Sequence, residues 1–179
     1  GLGDAVLHAK ELVGDDSFAV LLPDDLFFSD KSCLSQLIDT YEETNSSVIA
    51  VNKIDKENIH KYGVISPGIK EYDAILIDDI VEKPSAEDAP SDIAVCGRYI
   101  FTSLIFDYLE ATNFDKSGEI QLTDAIKSLI QNQKVYARLY DGEKFDCGSK
   151  KGFVHATIAL ALRDNSISKD ISKIIKEII

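Results

Sequence analysis

Two uninterrupted apolar runs, separated by a helical pattern, place the tightest limit on how this chain can fold. The runs cover residues 17–23 and 46–51, and apolar side chains recur at helical spacing over residues 34–41. Continuous apolar runs of this length are typical of strands that are buried on both faces. The order strand, helix, strand therefore predicts a βαβ unit, with a parallel pair of strands joined by a right-handed crossover.

Strand and helix patterns continue along the rest of the chain. Apolar residues at positions i, i+3, i+4, i+7 and i+8 predict a strongly amphipathic helix from Leu122 to Ile130. Further strands are predicted at residues 62–67, 74–81, 93–101 and 134–140, and further helices at 5–12, 106–109, 153–161 and 171–178. No internal repeat or linker interrupts the pattern, so a single α/β domain over residues 1–179 is predicted.

Composition excludes several classes of function. The 179 residues carry a formal net charge of −12, which argues against binding to nucleic acid, where lysine and arginine supply most of the affinity. The same charge argues against an anionic membrane surface, and no apolar run approaches the length of a membrane span. Three cysteines without C-x-x-C spacing are typical of a reducing cytoplasm. Cys147 has two interpretations, a redox role or an inert thiol.

The segment from Ala74 to Pro84 ends in two opposite charges. Glu82 and Lys83 close the predicted strand, and Pro84 prevents further ladder pairing. Open α/β sheets bind ligands at the carboxyl ends of their strands. A carboxylate that accepts from hydroxyls, beside an ammonium that meets a phosphate, suits a sugar phosphate. The alternative is a solvated strand end.

Acidic residues follow two other predicted strands. Asp24 and Asp146 are candidates for a magnesium pair, because Mg²⁺ is usually held by one or two carboxylates together with substrate phosphates. Taken singly, each is more typical of a turn or cap residue, because aspartate is common in turns. Gly97, inside a predicted strand, indicates either a β-bulge or a close approach of a ligand to the backbone.

Seven short motifs in a fixed order carry a resemblance to a known family. They are Gly1-Leu2-Gly3, Leu22-Pro23-Asp24, Tyr62-Gly63-Val64, Val81-Glu82-Lys83-Pro84, Gly97-Arg98-Tyr99, Gly118-Glu119-Ile120-Gln121-Leu122-Thr123-Asp124 and Asp146-Cys147-Gly148. The ordered set resembles the bacterial UTP–glucose-1-phosphate uridylyltransferases (UDP-glucose pyrophosphorylases) of the sugar-nucleotidyltransferase superfamily. The resemblance implies a Rossmann-like, mixed but mostly parallel sheet flanked by helices, of the nucleotide-diphospho-sugar transferase type.

The resemblance implies sugar and phosphate contacts in the middle of the chain. Glu82 corresponds to the residue that accepts from glucose hydroxyls, and Lys83 to a catalytic residue that holds the phosphate of glucose 1-phosphate. Gly63 corresponds to a glycine whose backbone approaches the sugar, and Gly97 to one that lines the sugar pocket.

The ends of the chain supply the remaining implied roles. Gly1 corresponds to a contact with the nucleotide base, and Lys150 is a weaker candidate for a phosphate contact. Asp24, also implied to be catalytic, and Asp146 correspond to the carboxylates that bind Mg²⁺. Glu119 and Asp124 are read either as hydrogen-bond partners on the sugar side or as helix-start and capping residues.

The resemblance implies transfer from UTP to glucose 1-phosphate, giving UDP-glucose and pyrophosphate. The family's basic Gly-rich loop, which cradles the triphosphate, has no counterpart in this sequence, so the domain is expected to be N-terminally truncated and nearly inactive by itself. Asp4 also departs from the family pattern, which commonly has histidine there, and it adds negative charge near the base contact.

Two other functions remain open. The chain is alternatively a non-catalytic module for sugar-phosphate binding or oligomerisation, or a nucleotidyltransferase for another nucleotide or hexose 1-phosphate. The isoleucine stripe at residues 171–178 packs either on its own domain or on another subunit. Family members are dimers or tetramers, so a cytoplasmic homo-oligomer is expected.

Overall fold

The computed structural model describes residues 1–178, and they form eight strands and seven α-helices. The strands are β1 (Phe18–Leu21), β2 (Asp25–Phe28), β3 (Ser47–Lys53), β4 (Gly63–Glu71), β5 (Ala74–Glu82), β6 (Ile93–Phe101), β7 (Val135–Leu139) and β8 (Glu143–Asp146). The helices are α1 (Leu2–Leu7), α2 (Lys10–Val13), α3 (Cys33–Thr44), α4 (Ile105–Ala111), α5 (Leu122–Ile130), α6 (Lys150–Arg163) and α7 (Ser168–Ile178). A 3₁₀ helix over Lys56–Lys61 precedes β4. None of the helices in the described residues has the length and apolar character needed to cross a bilayer.

The chain divides into two compact units. The first unit contains Gly1–Leu21 and Lys31–Asp141, and the second contains Leu22–Asp30 and Gly142–Ile179. Residue 179 lies outside the described residues. The predicted helix over 171–178 lies within them.

The first unit contains a six-stranded sheet in the order β1-β6-β3-β7-β5-β4. The α/β class is confirmed, but the expectation of a mostly parallel sheet is wrong for the described residues. Only β3 and β7 pair in parallel, and the other neighbouring pairs are antiparallel. The sheet is mostly antiparallel for two reasons. β4 and β5 form a hairpin, and β6 lies between β1 and β3 and runs antiparallel to both.

The predicted βαβ unit is therefore also wrong in its pairing. β1 and β3 each pair with β6 in antiparallel fashion, so they run in the same direction but are not neighbours. The apolar patterns located both strands and the α3 helix, yet nothing in a local pattern specifies which strand inserts between them.

β1 also differs from β3 in burial. The first five residues of β3 are all buried, as the apolar run predicted. In β1 the side chains alternate, with Phe18 and Val20 partly buried and Ala19 and Leu21 exposed. In the described part of the chain β1 lies at the sheet edge, where one of its faces is not covered.

The core of the first unit lies between the sheet and α4 and α5. Phe101, Ile105, Phe106 and Leu109 are fully buried there. The predicted amphipathic face of α5 is confirmed, because four of its five apolar residues are buried and the fifth, Ile130, is partly buried; the four are Leu122, Ala125, Ile126 and Leu129. Burial of such side chains contributes about 1.5–3 kcal/mol each, so α5 is firmly anchored against the sheet.

The second unit is a two-stranded sheet with two helices. β2 and β8 pair in antiparallel fashion, with Asp25 opposite Asp146 and Phe28 opposite Glu143. The α6 helix contacts both β8 and α7. Much of the apolar surface of α6 and α7 is exposed, since in these two helices only Ala156 is buried.

Candidate active site

The end of β5 places Glu82 and Lys83 at a sharp change in backbone direction. Glu82 is the last residue of β5 and lies opposite Gly63 in the register with β4. Lys83 adopts a left-handed conformation (φ 44°), and its backbone N–H donates to the carbonyl of Tyr62 at 3.0 Å. Pro84 follows, buried and without a backbone donor. The predicted strand end is confirmed, and its backbone is strained by about 1 kcal/mol.

The Glu82 carboxylate has two protein partners. Its Oε2 accepts a 2.6 Å hydrogen bond from the Thr123 hydroxyl on α5. Its Oε1 lies 3.4 Å from the Lys83 Nζ. The Glu82 side chain is 25% exposed and that of Lys83 57%, so both charges are accessible to a ligand. The structure therefore places an acceptor and a cation side by side on one rim of the sheet.

Gly63 leaves space beside this carboxylate. A Cβ at position 63 would lie 3.3 Å from both Glu82 Oε2 and Thr123 Oγ1, and 3.6 Å from the Val95 side chain. Contacts of 3.3 Å are tighter than most Cβ contacts, so a larger residue would press on the hydrogen-bonded pair. The structure thus brings Gly63, Glu82 and Lys83 together, as the sequence predicted.

Gly97 lies in a β-bulge of β6. The β3–β6 register shifts between Ile49 and Val51, and Gly97 adopts a positive φ of 66° within that irregular stretch. The bulge interpretation is confirmed. A ligand approach at Gly97 stays a prediction. This glycine is buried, two residues along β6 from Val95, the neighbour of Gly63.

The segment before α5 is held by one carboxylate. Asp115 Oδ1 accepts from the backbone N–H groups of Ser117 at 2.8 Å and Glu119 at 2.9 Å, and Oδ2 accepts from Gln121 Nε2 at 2.8 Å. Together with the Ser117 hydroxyl, these donors hold the pKa of Asp115 well below its ordinary value. This segment was singled out as a motif, but Asp115 itself was not.

Glu119 and Asp124 do not cap α5. Gln121 is the N-cap residue and makes no side-chain cap hydrogen bond, so the capping interpretation is wrong for both carboxylates. The helix-start interpretation holds for Asp124, which lies in the first turn. Burial raises the pKa of Asp124, and the charges of Glu82 and Asp115 raise it further. Asp124 is thus electrostatically coupled to Glu82.

The N-terminal glycines pack against this same segment. The Gly3 N–H donates to the carbonyl of Ile120 at 3.0 Å. A Cβ at Gly1 or at Gly3 would lie 2.7 Å from that carbonyl oxygen. Asp4 lies in the first turn of α1, and its backbone carbonyl accepts from His8 Nδ1 at 2.8 Å. Gly1 therefore lies beside the motif that contains Thr123.

In the second unit, Asp24 and Asp146 approach the same point. Asp146 ends β8 as predicted, whereas Asp24 lies not at a strand end but in the turn before β2. The Cys147 N–H donates to the Asp24 carbonyl at 2.7 Å, which joins the two segments. A Cβ at Gly148 would lie 2.8 Å from Asp24 Oδ2 and 3.2 Å from Asp146 Oδ1. A side chain at position 148 would therefore press on both carboxylates, and Asp146 Oδ1 already accepts from the Gly148 N–H at 3.0 Å.

This pair fits the requirements of an open magnesium site. Mg²⁺ keeps several waters and binds through one or two carboxylates plus substrate phosphates, and two converging carboxylates match that donor set. Among residues 1–178 no group of three or more His, Cys, Asp or Glu side chains is arranged to hold a metal ion. A magnesium site at Asp24 and Asp146 stays a prediction.

A half-buried ion pair adjoins the two carboxylates. Lys144 Nζ lies 2.8 Å from Asp25 Oδ1, and both side chains are little exposed. Burial raises the pKa of Asp25, with smaller contributions from the charges of Asp24 and Asp146. Sequence patterns did not single out this pair, because Asp25 and Lys144 are far apart in sequence and meet only through the β2–β8 register.

Lys150 begins α6. Ser149 is the N-cap, and its hydroxyl accepts from the Gly152 N–H at 3.0 Å. The Lys150 side chain is exposed. Its contact with a phosphate stays a prediction.

Comparison with known proteins identifies the family of this chain. A model of the nucleotidyl transferase family matches residues 1–162. The chain belongs to the nucleotidyl transferase family. The match covers the first unit, β2, β8 and most of α6.

Within the nucleotidyl transferase family, the chain is similar in sequence and in structure to enzymes of one kind. The chain is 46% identical over 178 residues to a UTP–glucose-1-phosphate uridylyltransferase of Staphylococcus epidermidis. The aligned region covers 99% of this chain and 62% of that protein. A UDP-glucose pyrophosphorylase structure complexed with UDP-glucose superposes with a TM-score of 0.86 at 40% identity, over 89% of this chain and 61% of that chain.

A second solved structure extends the match to the whole chain. The UDP-glucose pyrophosphorylase of Acinetobacter baumannii gives a TM-score of 0.87 at 36% identity, over 100% of this chain and 62% of that one. These neighbours confirm the nucleotidyltransferase type of the fold. The chain spans about three fifths of the length of the curated relatives it matches.

Local patterns do not predict the roles of two residues in this candidate site. Thr123 belongs to the motif at residues 118–124, in which the sequence predicts a hydrogen-bonding role only for Glu119 and Asp124. Gly148 belongs to the Asp146-Cys147-Gly148 motif, yet its steric role depends on Asp24, which is more than a hundred residues away. The motifs contained both residues, but only side-chain positions reveal what each one contacts.

Proposed function

We propose that this chain forms the sugar-phosphate and metal-binding part of a UTP–glucose-1-phosphate uridylyltransferase. The observation that carries the proposal is the Glu82–Lys83 pair, an accessible carboxylate and an ammonium 3.4 Å apart at a strand end. The family match and the names of the relatives support the reaction class. The proposed reaction converts UTP and glucose 1-phosphate into UDP-glucose and pyrophosphate.

The first unit would bind the sugar phosphate. Glu82 would accept from glucose hydroxyls, while Lys83 would neutralise and orient the phosphate. Gly63 and Gly97 would leave room for the sugar, because neither carries a side chain. Gly1 would contact the nucleotide base.

The transfer itself needs positioning and neutralisation of charge. A phosphate oxygen of glucose 1-phosphate attacks the α-phosphorus of UTP, a new P–O bond forms, and the bond to the β-phosphate breaks to release pyrophosphate. Lys83 would hold the attacking phosphate in line, so it is the proposed catalytic cation.

The second unit would contribute carboxylates to the reaction. Asp24 and Asp146 would hold Mg²⁺, which when bound supplies positive charge to the phosphate groups. Gly148, which has no side chain, would leave these carboxylates undisturbed, and Lys150 would add a cation at the start of α6. We also propose that both units belong to one catalytic domain, since the family match spans both.

Calorimetric titration tests the proposal directly. The chain should bind glucose 1-phosphate and UDP-glucose, and it should bind glucose 1-phosphate more tightly than either glucose or inorganic phosphate alone. Equal binding of glucose 1-phosphate and inorganic phosphate would show that no sugar site exists, and absence of binding would remove the proposed function altogether.

Replacement of Lys83 by glycine should have opposite effects on binding and stability. We expect Lys83→Gly to weaken glucose 1-phosphate binding about 10–100-fold, since a charged hydrogen bond is lost. The free energy of unfolding should rise by about 1 kcal/mol, because glycine relieves the left-handed backbone. Titration and urea denaturation measure the two effects.

Tyr72→Gly is the matched control for that variant. Tyr72 also has a left-handed backbone (φ 56°) and an exposed side chain, but it lies at the β4–β5 turn. The Tyr72→Gly variant should gain a comparable free energy of unfolding, and its affinity for glucose 1-phosphate should not change. Loss of binding in both variants would mean that backbone relaxation, and not the ammonium, explains the effect.

We further propose that the protein forms a cytoplasmic homo-oligomer, a dimer or tetramer, through the second unit. Exposed apolar side chains on this unit include Phe153, Val154, Leu162, Ile174 and Ile178, and a cluster of this kind is typical of an interface. Three cysteines without paired spacing suit a reducing compartment.

Sedimentation should detect this oligomer. Ile174→Asp should shift the chain toward monomer, because burial of an unpaired charge in an apolar interface costs free energy. Lys173→Asp, which introduces the same charge at an exposed neighbouring position, should leave the oligomer intact. A monomer at high concentration of the unmodified chain would contradict the proposal.

A further inference from the structure

The Thr123 hydroxyl makes an unusual hydrogen bond for a residue at the start of a helix. Serine and threonine near a helix terminus ordinarily bond to nearby backbone groups. Thr123 instead donates to Glu82, 41 positions earlier in the chain, at 2.6 Å. That distance is typical of a hydroxyl bound to an ionised carboxylate, which is among the stronger hydrogen bonds in proteins.

The donor is held rigidly in place. Leu122 precedes Thr123 and is 2% exposed, and Ala125 and Ile126 follow within the same buried face of α5. A β-branched side chain such as threonine has few χ1 rotamers in a helix. Packing of α5 against the core therefore fixes the backbone of Thr123, and its partly buried side chain chooses between two main rotamers, of which the one observed donates to Glu82.

The acceptor, Glu82 Oε2, belongs to a flexible side chain, which must keep one orientation if it is to recognise a ligand. Lys83 is an exposed neighbour and its 3.4 Å contact with Oε1 restrains Glu82 only weakly. A carboxylate offers about four acceptor positions, so the bond from Thr123 leaves capacity for ligand hydroxyls. A Cβ at Gly63 would lie 3.3 Å from both Oε2 and Thr123 Oγ1, so glycine at this position avoids a close contact with the hydrogen-bonded pair.

We propose that Thr123 is a positioning residue that fixes the Glu82 carboxylate for recognition of the hexose hydroxyls. The inference rests on the proposed function, and it adds a residue that acts through Glu82 without touching the substrate. Preorganisation of this kind lowers the entropy lost on binding, because the acceptor is already oriented before the sugar arrives.

The test separates this role from a simple tether between α5 and β5. Thr123→Val removes the hydroxyl and keeps the shape, whereas Thr123→Ser restores the donor. Lys127→Ala is the matched control, because Lys127 also joins α5 to β5, through a 2.9 Å ion pair with Asp79. Each variant is titrated with glucose 1-phosphate and with inorganic phosphate, and its folding is checked by urea denaturation.

We expect Thr123→Val to weaken glucose 1-phosphate binding about 10-fold, the effect of one charge-assisted hydrogen bond. Its affinity for inorganic phosphate should not change. Thr123→Ser should bind nearly as the unmodified chain does, and Lys127→Ala should keep full affinity for both ligands.

Three results would overturn the inference. One is unchanged glucose 1-phosphate affinity in Thr123→Val, and another is an equal loss in Lys127→Ala, which would assign the effect to the tether. A third is a parallel loss of phosphate affinity in Thr123→Val. If the unmodified chain binds no glucose 1-phosphate, the proposed function fails, and with it the sugar-recognition role of Thr123.

Discussion

Replacing Gly152 by alanine should destabilise the second unit strongly, although alanine is ordinarily the better helix residue. A Cβ at Gly152 would overlap the backbone carbonyl oxygen of Asp146, and it would lie 2.9 Å from both the Asp146 carbonyl carbon and Ser149 Oγ. A backbone group at a strand end cannot rotate away as a side chain does. The α6 helix would have to move away from β8.

Two opposing effects determine how much Gly152→Ala should change the free energy of unfolding. Helix propensity favours alanine over glycine by about 1 kcal/mol, whereas overpacking against fixed atoms costs about 1–3 kcal/mol and occasionally more. Because the overlap involves backbone, we expect a net loss of about 2 kcal/mol or more in the free energy of unfolding. Urea denaturation combined with hydrogen exchange of the α6 and β8 amides would measure it.

Gly14→Ala is the control for the loss of a glycine without an overlap. Gly14 has a φ of 62°, and an added Cβ there has no neighbour within 4 Å. Only backbone strain of about 1–3 kcal/mol is expected, because Gly14 (φ 62°, ψ −130°) has a conformation that alanine rarely adopts, and the exchange of α6 should not change. A Gly152→Ala protein as stable as the unmodified one would contradict the close packing of α6 against Asp146.

Replacing Gly148 by alanine should abolish most divalent-metal binding while leaving the fold intact. The added Cβ would lie 2.8 Å from Asp24 Oδ2 and 3.2 Å from Asp146 Oδ1. Unlike the neighbours of Gly152, these atoms belong to side chains, which move more readily than backbone, although Asp146 Oδ1 would have to leave the 3.0 Å hydrogen bond that it accepts from the Gly148 N–H. The added methyl group would therefore push the carboxylates out of their present positions.

Metal affinity and stability should therefore respond differently. We expect Gly148→Ala to lower the affinity for Mn²⁺, a spectroscopic substitute for Mg²⁺, about 10–100-fold, as displacement of ligand-orienting groups does in other metal sites. The free energy of unfolding should stay close to that of the unmodified chain. Calorimetry and electron paramagnetic resonance would follow the metal.

Gly118→Ala provides the comparison. An added Cβ at Gly118 meets no atom within 4 Å, and the residue lies in the first unit. Its metal affinity should not change. Equal Mn²⁺ affinity in Gly148→Ala and the unmodified chain would argue against a metal site between Asp24 and Asp146, as would undiminished affinity in Asp146→Asn.

Local patterns predicted the parts of the site that depend on strand ends. Glu82 closes β5 and Asp146 closes β8, as expected, and the predicted bounds of β6 agree with the structure. These features follow from backbone chemistry, because Pro84 stops the ladder and an apolar run stops where polar residues begin. Asp24 was misplaced, because the strand before it ends earlier, at Leu21.

The pairing of strands was beyond local patterns. Periodicity reports which side of a strand is buried, but not which strand lies beside it. β6 lies between β1 and β3, so a sheet expected to be mostly parallel is mostly antiparallel in this chain. The exposed residues of β1 follow from the same arrangement, because a strand at the sheet edge has fewer neighbours to cover its side chains.

The amino-acid sequence alone determined the α/β class, the amphipathic face of α5, the charges that end β5 and β8, and an ordered set of motifs typical of one family. Each of these depends on residues close together in the chain, where backbone geometry and side-chain alternation act directly. Only the tertiary structure decided that Thr123 donates to Glu82 and that Gly148 lies beside the carboxylates of both Asp24 and Asp146. Each arrangement brings together residues that are far apart in the sequence, and it arises from the packing of the unit that contains them, which no local pattern encodes.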